Sequence, residues 1–511
     1  MGMHEEENAC SMIKNTYSVI LLIVSIALIM GLIFQRDTKF ANEIHPIFAF
    51  VAIWGAIIWL TMVEGGQGSL VGLTPVDPEL YKESHKMSYK CTKWCHAGDN
   101  LDRYLMGRQF MVVLIVFVVN NSGNPLGGAT LWGLPDWALT IFFGIGGAMV
   151  LFTCMVGQLN SQVNGCRCML DYINNYFAYF TLFVAMAIEF SGILHASYLV
   201  AMLVSSLSGK PIETNEPPRS GGEEMFFWAR CLLSVVLLVF AGLVTIVAVF
   251  QGKTTMWESL PGTIGVIVFL VLMCVVGMLE AMQIAFFACA KLTKEERGSS
   301  KFAKMTAHLL FKGEGRNLPG FMVGRQLFVV TCMFVVARIT SLNIVAGEGN
   351  NMFGVPDAVQ EFMNTGLLGA FFLTIMGSIS WQLVASAFPI AFMSNPVTYI
   401  FLNIALAMEA TGICNGAWVL AKIHASIAGF QRDEVYIGTA EERAAAKKDD
   451  ASKLSLGVGH MTKLPAFADN APEPLRELLE KDASVREYVS NIAKDEETGG
   501  DIAAKQSEEY A

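Results

Sequence analysis

Apolar runs separated by short polar stretches dominate the first 420 positions of the chain. Runs long enough to cross a bilayer recur at 17–34, 46–63, 110–119 with its flanks, 137–156 and 176–204. They return at 226–250, 262–279, 327–339 with flanks, 366–383 and 397–420. A crossing helix needs roughly 20 such residues, so the pattern predicts an all-α polytopic membrane protein with about ten transmembrane helices. The organisation follows: a tail over 1–16, five helices over 17–205, a loop over 206–224, five more over 225–420, and a soluble acidic tail over 421–511. Within the last segment Leu475, Leu478, Val485, Val489 and Ile492 fall at a/d spacing. They predict a short amphipathic helix, or a coiled-coil segment serving an oligomer or a protein partner.

Composition agrees. Charged residues make up 16% of the chain and hydrophobic ones 53%, with a mean hydropathy of +0.47; soluble domains carry about 25% charge. The net charge of -10 argues against nucleic acid as a partner and leaves the lipid bilayer as the surroundings. The opening MGMHEEEN is acidic where a signal peptide is basic, and Glu6 stands where a myristoylation pattern has Ser or Thr, so the first run is expected to be retained. The eleven cysteines lie mostly inside apolar runs, as reduced thiols that pack like small apolar groups. Two clusters, Cys91-Thr-Lys-Trp-Cys95-His96 and Cys166-Arg-Cys168-Met169-Leu170-Asp171, lack four ligands at zinc spacing. Neither a metal site nor a cofactor is expected.

The polar positions repeat. Glu64 and Gln67 return 216 residues later as Glu280 and Gln283, MGRQFMVV at 106 returns as VGRQLFVV at 323, and AMAIEFSGI at 185 as ALAMEATGI at 405. Leu134-Pro135-Asp136 matches Val355-Pro356-Asp357. Order and spacing hold throughout, which marks a duplication. Five spans per unit make the second unit enter from the opposite side, predicting two inverted five-helix repeats with a binding site between them.

A glutamate and a glutamine at i and i+3 share one helix face, so Glu64 with Gln67 and Glu280 with Gln283 point together. Gly65, Gly66 and Gly68 are expected to let the backbone unwind there and offer carbonyls. Gln donates and accepts, Glu accepts and Arg donates, a set that suits a small uncharged solute with many hydroxyls. The plainer alternative makes Glu64 and Glu280 buried ion pairs with Arg108 and Arg325. Glu189 and Glu409, symmetric and deep in their runs, are candidates for an ion or proton site or for interhelical hydrogen bonding. Asp136 and Asp357 follow proline and are expected to cap helices.

Paired E-G-x-Q and G-R-Q motifs in each half of a ten-span protein resemble the diatom silicic acid transporters. Here they read Glu64-Gly65-Gly66-Gln67 with Gly107-Arg108-Gln109, and Glu280-Ala281-Met282-Gln283 with Gly324-Arg325-Gln326. Cys168-Met169-Leu170-Asp171 and the coiled-coil-prone tail also look like that family. Ala281 departs from its expected glycine. The resemblance implies uptake of orthosilicic acid coupled to sodium, at the plasma membrane or the membranes of the silica deposition compartment. It also implies that Glu64, Gln67, Gln109, Glu280, Gln283 and Gln326 line the route while Arg108 and Arg325 orient the glutamates.

An even number of spans puts both termini on one side, which the acidic tail makes the cytoplasm. The basic loop over 68–103 then obeys the positive-inside rule, whereas that over 291–318 opposes it. A carrier for another neutral hydroxylated solute such as boric acid, or a passive channel, would use the same polar set. An enzyme is not expected: no Ser/His/Asp set lies at membrane depth, and among the eight histidines only His195 is deep in a run.

Overall fold

Backbone polar groups have no partner in hydrocarbon, so an apolar run at membrane depth closes its hydrogen bonds within itself and becomes a helix. The computed structural model describes residues 9–74, 76–209, 216–257, 260–290, 297–311 and 317–437. The first half contributes α1 (Ala9–Gln35), α2 (Pro46–Gly72), the amphipathic α3 (Lys86–Cys95), α4 (Asn100–Gly123), α5 (Gly147–Arg167), α6 (Tyr176–Phe190) and α7 (Ala196–Ser208). The second half contributes α8 (Gly221–Phe250), α9 (Gly262–Ala290), α10 (Lys301–Leu310), α11 (Asn317–Thr340), α12 (Leu367–Ala385), α13 (Pro396–Ala410) and α14 (Gly416–Ala428). The protein is an all-α polytopic membrane protein. The amphipathic segment over 475–492 lies outside the described residues.

The count of continuous spans differs from the expected ten. Among the described residues seven helices are long and apolar enough to cross a membrane, and eight if Asp136–Gly144 is joined to α5 across a 50° bend. The runs at 176–204 and 397–420 are each interrupted, forming two helices that are individually shorter than a bilayer crossing. At the breaks Gly192 (φ 82°) and Gly412 (φ 72°) take the left-handed conformation that side-chain-bearing residues avoid.

These breaks carry the chain from one half to the other. α6 packs on α2 and α4 of its own half, but α7 packs on α8 and α12 of the second. Likewise α13 packs on α11, while α14 packs on α1 and α5 of the first half. Serines from the opposite half secure both breaks. Ser234 on α8 accepts from the Ala196 amide at 2.9 Å and donates to the Ile193 carbonyl. Ser18 on α1 accepts from the Gly416 amide at 2.7 Å and donates to the Ile413 carbonyl. The backbone groups freed by interrupting a helix are thereby satisfied without water.

At the centre α4 and α11 are the most enclosed spans, each packed in its own half and against the other. A Cβ on Gly107 would fall 1.9 Å from the Ala185 carbonyl oxygen, and one on Gly324 1.8 Å from that of Ala405. The glycine of each G-R-Q motif therefore lets α4 meet α6, and α11 meet α13, at backbone contact. Asp136 and Asp357 do not cap: Pro135 and Pro356 hold the cap positions, and neither aspartate makes a cap hydrogen bond. Asp357 instead accepts from the Gly347 amide (3.0 Å) and Asn351 Nδ2 (2.7 Å), bracing its loop.

The chain beyond α14 docks on the Cys168–Asp171 stretch. Buried Asp433 accepts from the amides of Met169 (3.0 Å) and Leu170 (2.9 Å). Asp171 accepts from the Gln431 amide (2.6 Å) and the Tyr436 hydroxyl (3.4 Å), and lies 3.0 Å from His85 Nε2. On α3, Cys91 and Cys95 face inward, and burial pushes the Cys91 thiol up to about 12 and raises that of Cys95. Among the described residues no group of three His, Cys, Asp or Glu stands ready for a metal.

Two outcomes are expected. Gly324→Ala should destabilise the protein by about 1–3 kcal/mol, because a backbone carbonyl cannot retreat as a side chain can; thermal unfolding in detergent measures it. Asp433→Ala removes a charged acceptor from two amides, worth roughly 2 kcal/mol locally, and should speed proteolysis within 430–437 well before the helices unfold.

Candidate functional site

α2 runs unbroken through Glu64, Gly65, Gly66 and Gln67, and α9 through Glu280, Ala281, Met282 and Gln283. The expected unwinding does not occur. A Cβ on Gly65 would fall 2.4 Å from the Tyr172 ring, and one on Gly165 would fall 2.2 Å from the Gly65 carbonyl oxygen. These glycines are therefore used for close helix packing, and their carbonyls stay inside the helix. In the second half Ala281, Ala285 and Ala385 pack together instead, so the alanine at 281 is accommodated by small neighbours.

Glu64 is buried on α2 and faces Arg108 on α4, whose Nη2 donates to Oε2 at 3.1 Å. Arg108 Nη1 donates to Gln109 Oε1 at 2.8 Å. The second half repeats the arrangement: Arg325 Nη1 donates to Glu280 Oε1 at 3.2 Å, and Nη2 donates to Gln326 Oε1. All six side chains are buried. The ion pairs that the sequence offered as the plainer alternative exist, and the glutamine beside each arginine accepts from its guanidinium.

Sequence reasoning missed part of the site. Gln158 and Gln162 on α5 donate to Glu64, to Oε1 at 3.3 Å and to Oε2 at 3.1 Å. Gln382 on α12 donates to Glu280 Oε2 at 2.9 Å. A signal was available: when Gly157 is aligned with Gly377, Gln162 falls on Gln382. Both follow a π-helical segment, Thr153–Leu159 and Ile375–Ile379, each ending three residues earlier. Such segments widen the helix and re-aim its side chains, and they gather at functional sites.

The two clusters meet. Gln162 Nε2 lies 3.5 Å from Gln326 Oε1, a link from the Glu64 cluster of the first half to the Arg325 cluster of the second. Each cluster pairs one carboxylate with one guanidinium and is neutral in sum, which is what makes burial of four charges tolerable. Arg108 Nε, Arg325 Nε and Gln158 Oε1 are buried without a hydrogen-bond partner among the described groups. Gln67 and Gln283 lie one turn beyond the glutamates, half-buried, with their carboxamides in no side-chain bond among the described residues. The clusters thus keep spare donors at the two Nε groups, and Gln67 and Gln283 carry further carboxamides one turn along the same two helices.

Glu189 and Glu409 stand elsewhere. Because the fifth runs are broken, they sit near the C-terminal ends of α6 and α13 rather than in mid-span. Glu189 is buried, accepts from the Tyr198 hydroxyl at 3.3 Å and lies 3.7 Å from His195 Nε2. Arg230 Nη1 donates to the Phe190 carbonyl at 3.3 Å, giving that helix end a compensating cation. Glu409 is half-buried, and Lys14 of α1 lies over the adjoining Gly412. Each acid lies at a break between helices, where a base from the opposite half, Arg230 or Lys14, also touches the chain.

No curated protein and no solved structure matches the chain. A family model described as silicon transporter does match, over residues 6–509, and with paired Glu–Arg–Gln clusters buried where the halves meet, the chain belongs to the silicon transporter family.

Proposed function

We propose that the protein takes up orthosilicic acid as a secondary active carrier, coupled to sodium, by alternating access. The two halves then act as inverted repeats with both termini cytoplasmic, in the plasma membrane. One observation carries the reading: a Glu–Arg–Gln cluster from each half converges through the Gln162–Gln326 link at the centre of the bundle.

Orthosilicic acid is a neutral tetrahedron of hydroxyls at neutral pH. Each hydroxyl can donate to a carboxylate or carboxamide oxygen and accept from a guanidinium or amide N–H. Both clusters are already neutral, so a neutral guest adds no charge to a low-dielectric interior, whereas an ion would. Glu64 and Glu280 supply acceptors, the Nε groups of Arg108 and Arg325 supply donors, and Gln67, Gln109, Gln283 and Gln326 supply both. Sodium needs oxygen ligands and is repelled by a guanidinium 3.1 Å from Glu64 Oε2. Its ligands in this reading are carboxamide oxygens such as those of Gln67 and Gln283, or the acids Glu189 and Glu409 at the helix breaks.

Purified full-length protein in liposomes tests the reading by silicic acid flux with and without a sodium gradient. Accumulation above the external concentration that collapses without the gradient is expected; flux that is only downhill and indifferent to sodium indicates a channel, and equal competition by boric acid indicates a broader carrier. Gln109→Ala and Gln326→Ala should each lower uptake about tenfold, the worth of one hydrogen bond to a charged group. The pair Glu64→Gln with Arg108→Met removes a whole ion pair and so leaves no buried charge unpartnered. It should fold, shown by its thermal unfolding, and fail to transport; normal uptake would reduce the pair to a structural brace.

A further inference from the structure

We infer that Gln162 is a placeholder for the substrate, holding in the ligand-free carrier the hydrogen-bonding position that a silicic acid hydroxyl takes when bound. The inference rests on the site reading above and adds a residue and a step to it.

The Gln162 carboxamide reaches acceptors from both halves, Glu64 Oε2 at 3.1 Å and Gln326 Oε1 at 3.5 Å. A hydroxyl guest that bridges the two clusters through Glu64 and Gln326 donates to these same two acceptors, so Gln162 and the guest compete for them. Its partner positions also explain why a placeholder is needed. Glu64 is buried and takes donors from Arg108, Gln158 and Gln162. Loss of a donor leaves part of a carboxylate unsolvated where water is scarce. When the substrate leaves, Gln162 replaces its hydroxyl and keeps the two halves bonded while the empty carrier returns.

The corresponding residue in the second half differs. Gln382 Nε2 donates to Glu280 Oε2 at 2.9 Å and to Ser378 Oγ at 3.4 Å, both within its own half. It supports its carboxylate without bridging. The long arm from Gln162 to Gln326 is the weaker of its two bonds and breaks first. The π-helical turns over Thr153–Leu159, immediately before Gln162, give α5 a place to shift backbone register and withdraw the side chain. Gln162 is therefore a positioning residue for the return step, and Gln382 is its internal comparison.

Net uptake requires the empty carrier to return, whereas exchange of labelled for unlabelled silicic acid does not. Full-length protein in liposomes is measured in both modes. Gln162→Ala should lower both modes but net uptake by about tenfold more than exchange, because only net uptake includes the empty return. Gln162→Met, which preserves the length of the side chain, should behave the same and guards against a packing defect. Gln382→Ala should lower both modes by one factor. Equal losses in net uptake and exchange for both Gln162 variants, or no loss in either, overturn the inference. Wild-type flux from the paired Glu64→Gln and Arg108→Met variant would instead overturn the site reading itself.

Discussion

Two guanidinium–carboxylate pairs enclosed at membrane depth set the terms for everything around them. Removing one member of such a pair leaves a buried charge that costs about 3–5 kcal/mol, and hydrocarbon offers nothing to solvate it. The surrounding residues answer that demand. Arginines sit on α4 and α11, the most enclosed spans, their guanidinium groups braced by the neighbouring Gln109 and Gln326. Further glutamines reach each carboxylate from α5 and α12. Glycines at 107 and 324 let the helices behind those arginines approach to backbone contact, which excludes lipid from the charges.

Neutrality has a functional consequence. A site that is uncharged in sum, yet rich in donors and acceptors, favours a guest whose hydrogen bonds are many and whose charge is zero. Membership of the silicon transporter family names such a guest class. The same neutrality works against binding a cation at the arginine-paired carboxylates, so any coupling ion has to find oxygen elsewhere.

The halves are interlocked rather than merely apposed. Each surrenders its last short helix to the other, and a serine from the receiving half ties down the break. The breaks at Gly192 and Gly412, where Glu189 and Glu409 stand with a basic residue from the opposite half nearby, are therefore points at which the halves join. Segment 431–437 adds another tie, from the end of the second half to the Cys168–Asp171 stretch of the first.

From the sequence alone one could read the all-helical membrane class, the twofold recurrence of polar motifs and the pairing of Glu64 with Arg108 and Glu280 with Arg325. Those are properties of hydropathy and of order along the chain, and the expense of a lone charge in lipid makes a partner obligatory. The tertiary structure decided the rest. Whether Gly65 unwinds a helix or admits Tyr172 depends on what stands opposite, which no local pattern records. The breaks within 176–208 and 396–428 are stable because Ser234 and Ser18, more than thirty and nearly four hundred positions away, supply the missing hydrogen bonds. Gln162 entered the site for the same reason: its partners Glu64 and Gln326 lie 98 and 164 residues distant, and only folding brings one carboxamide within reach of both.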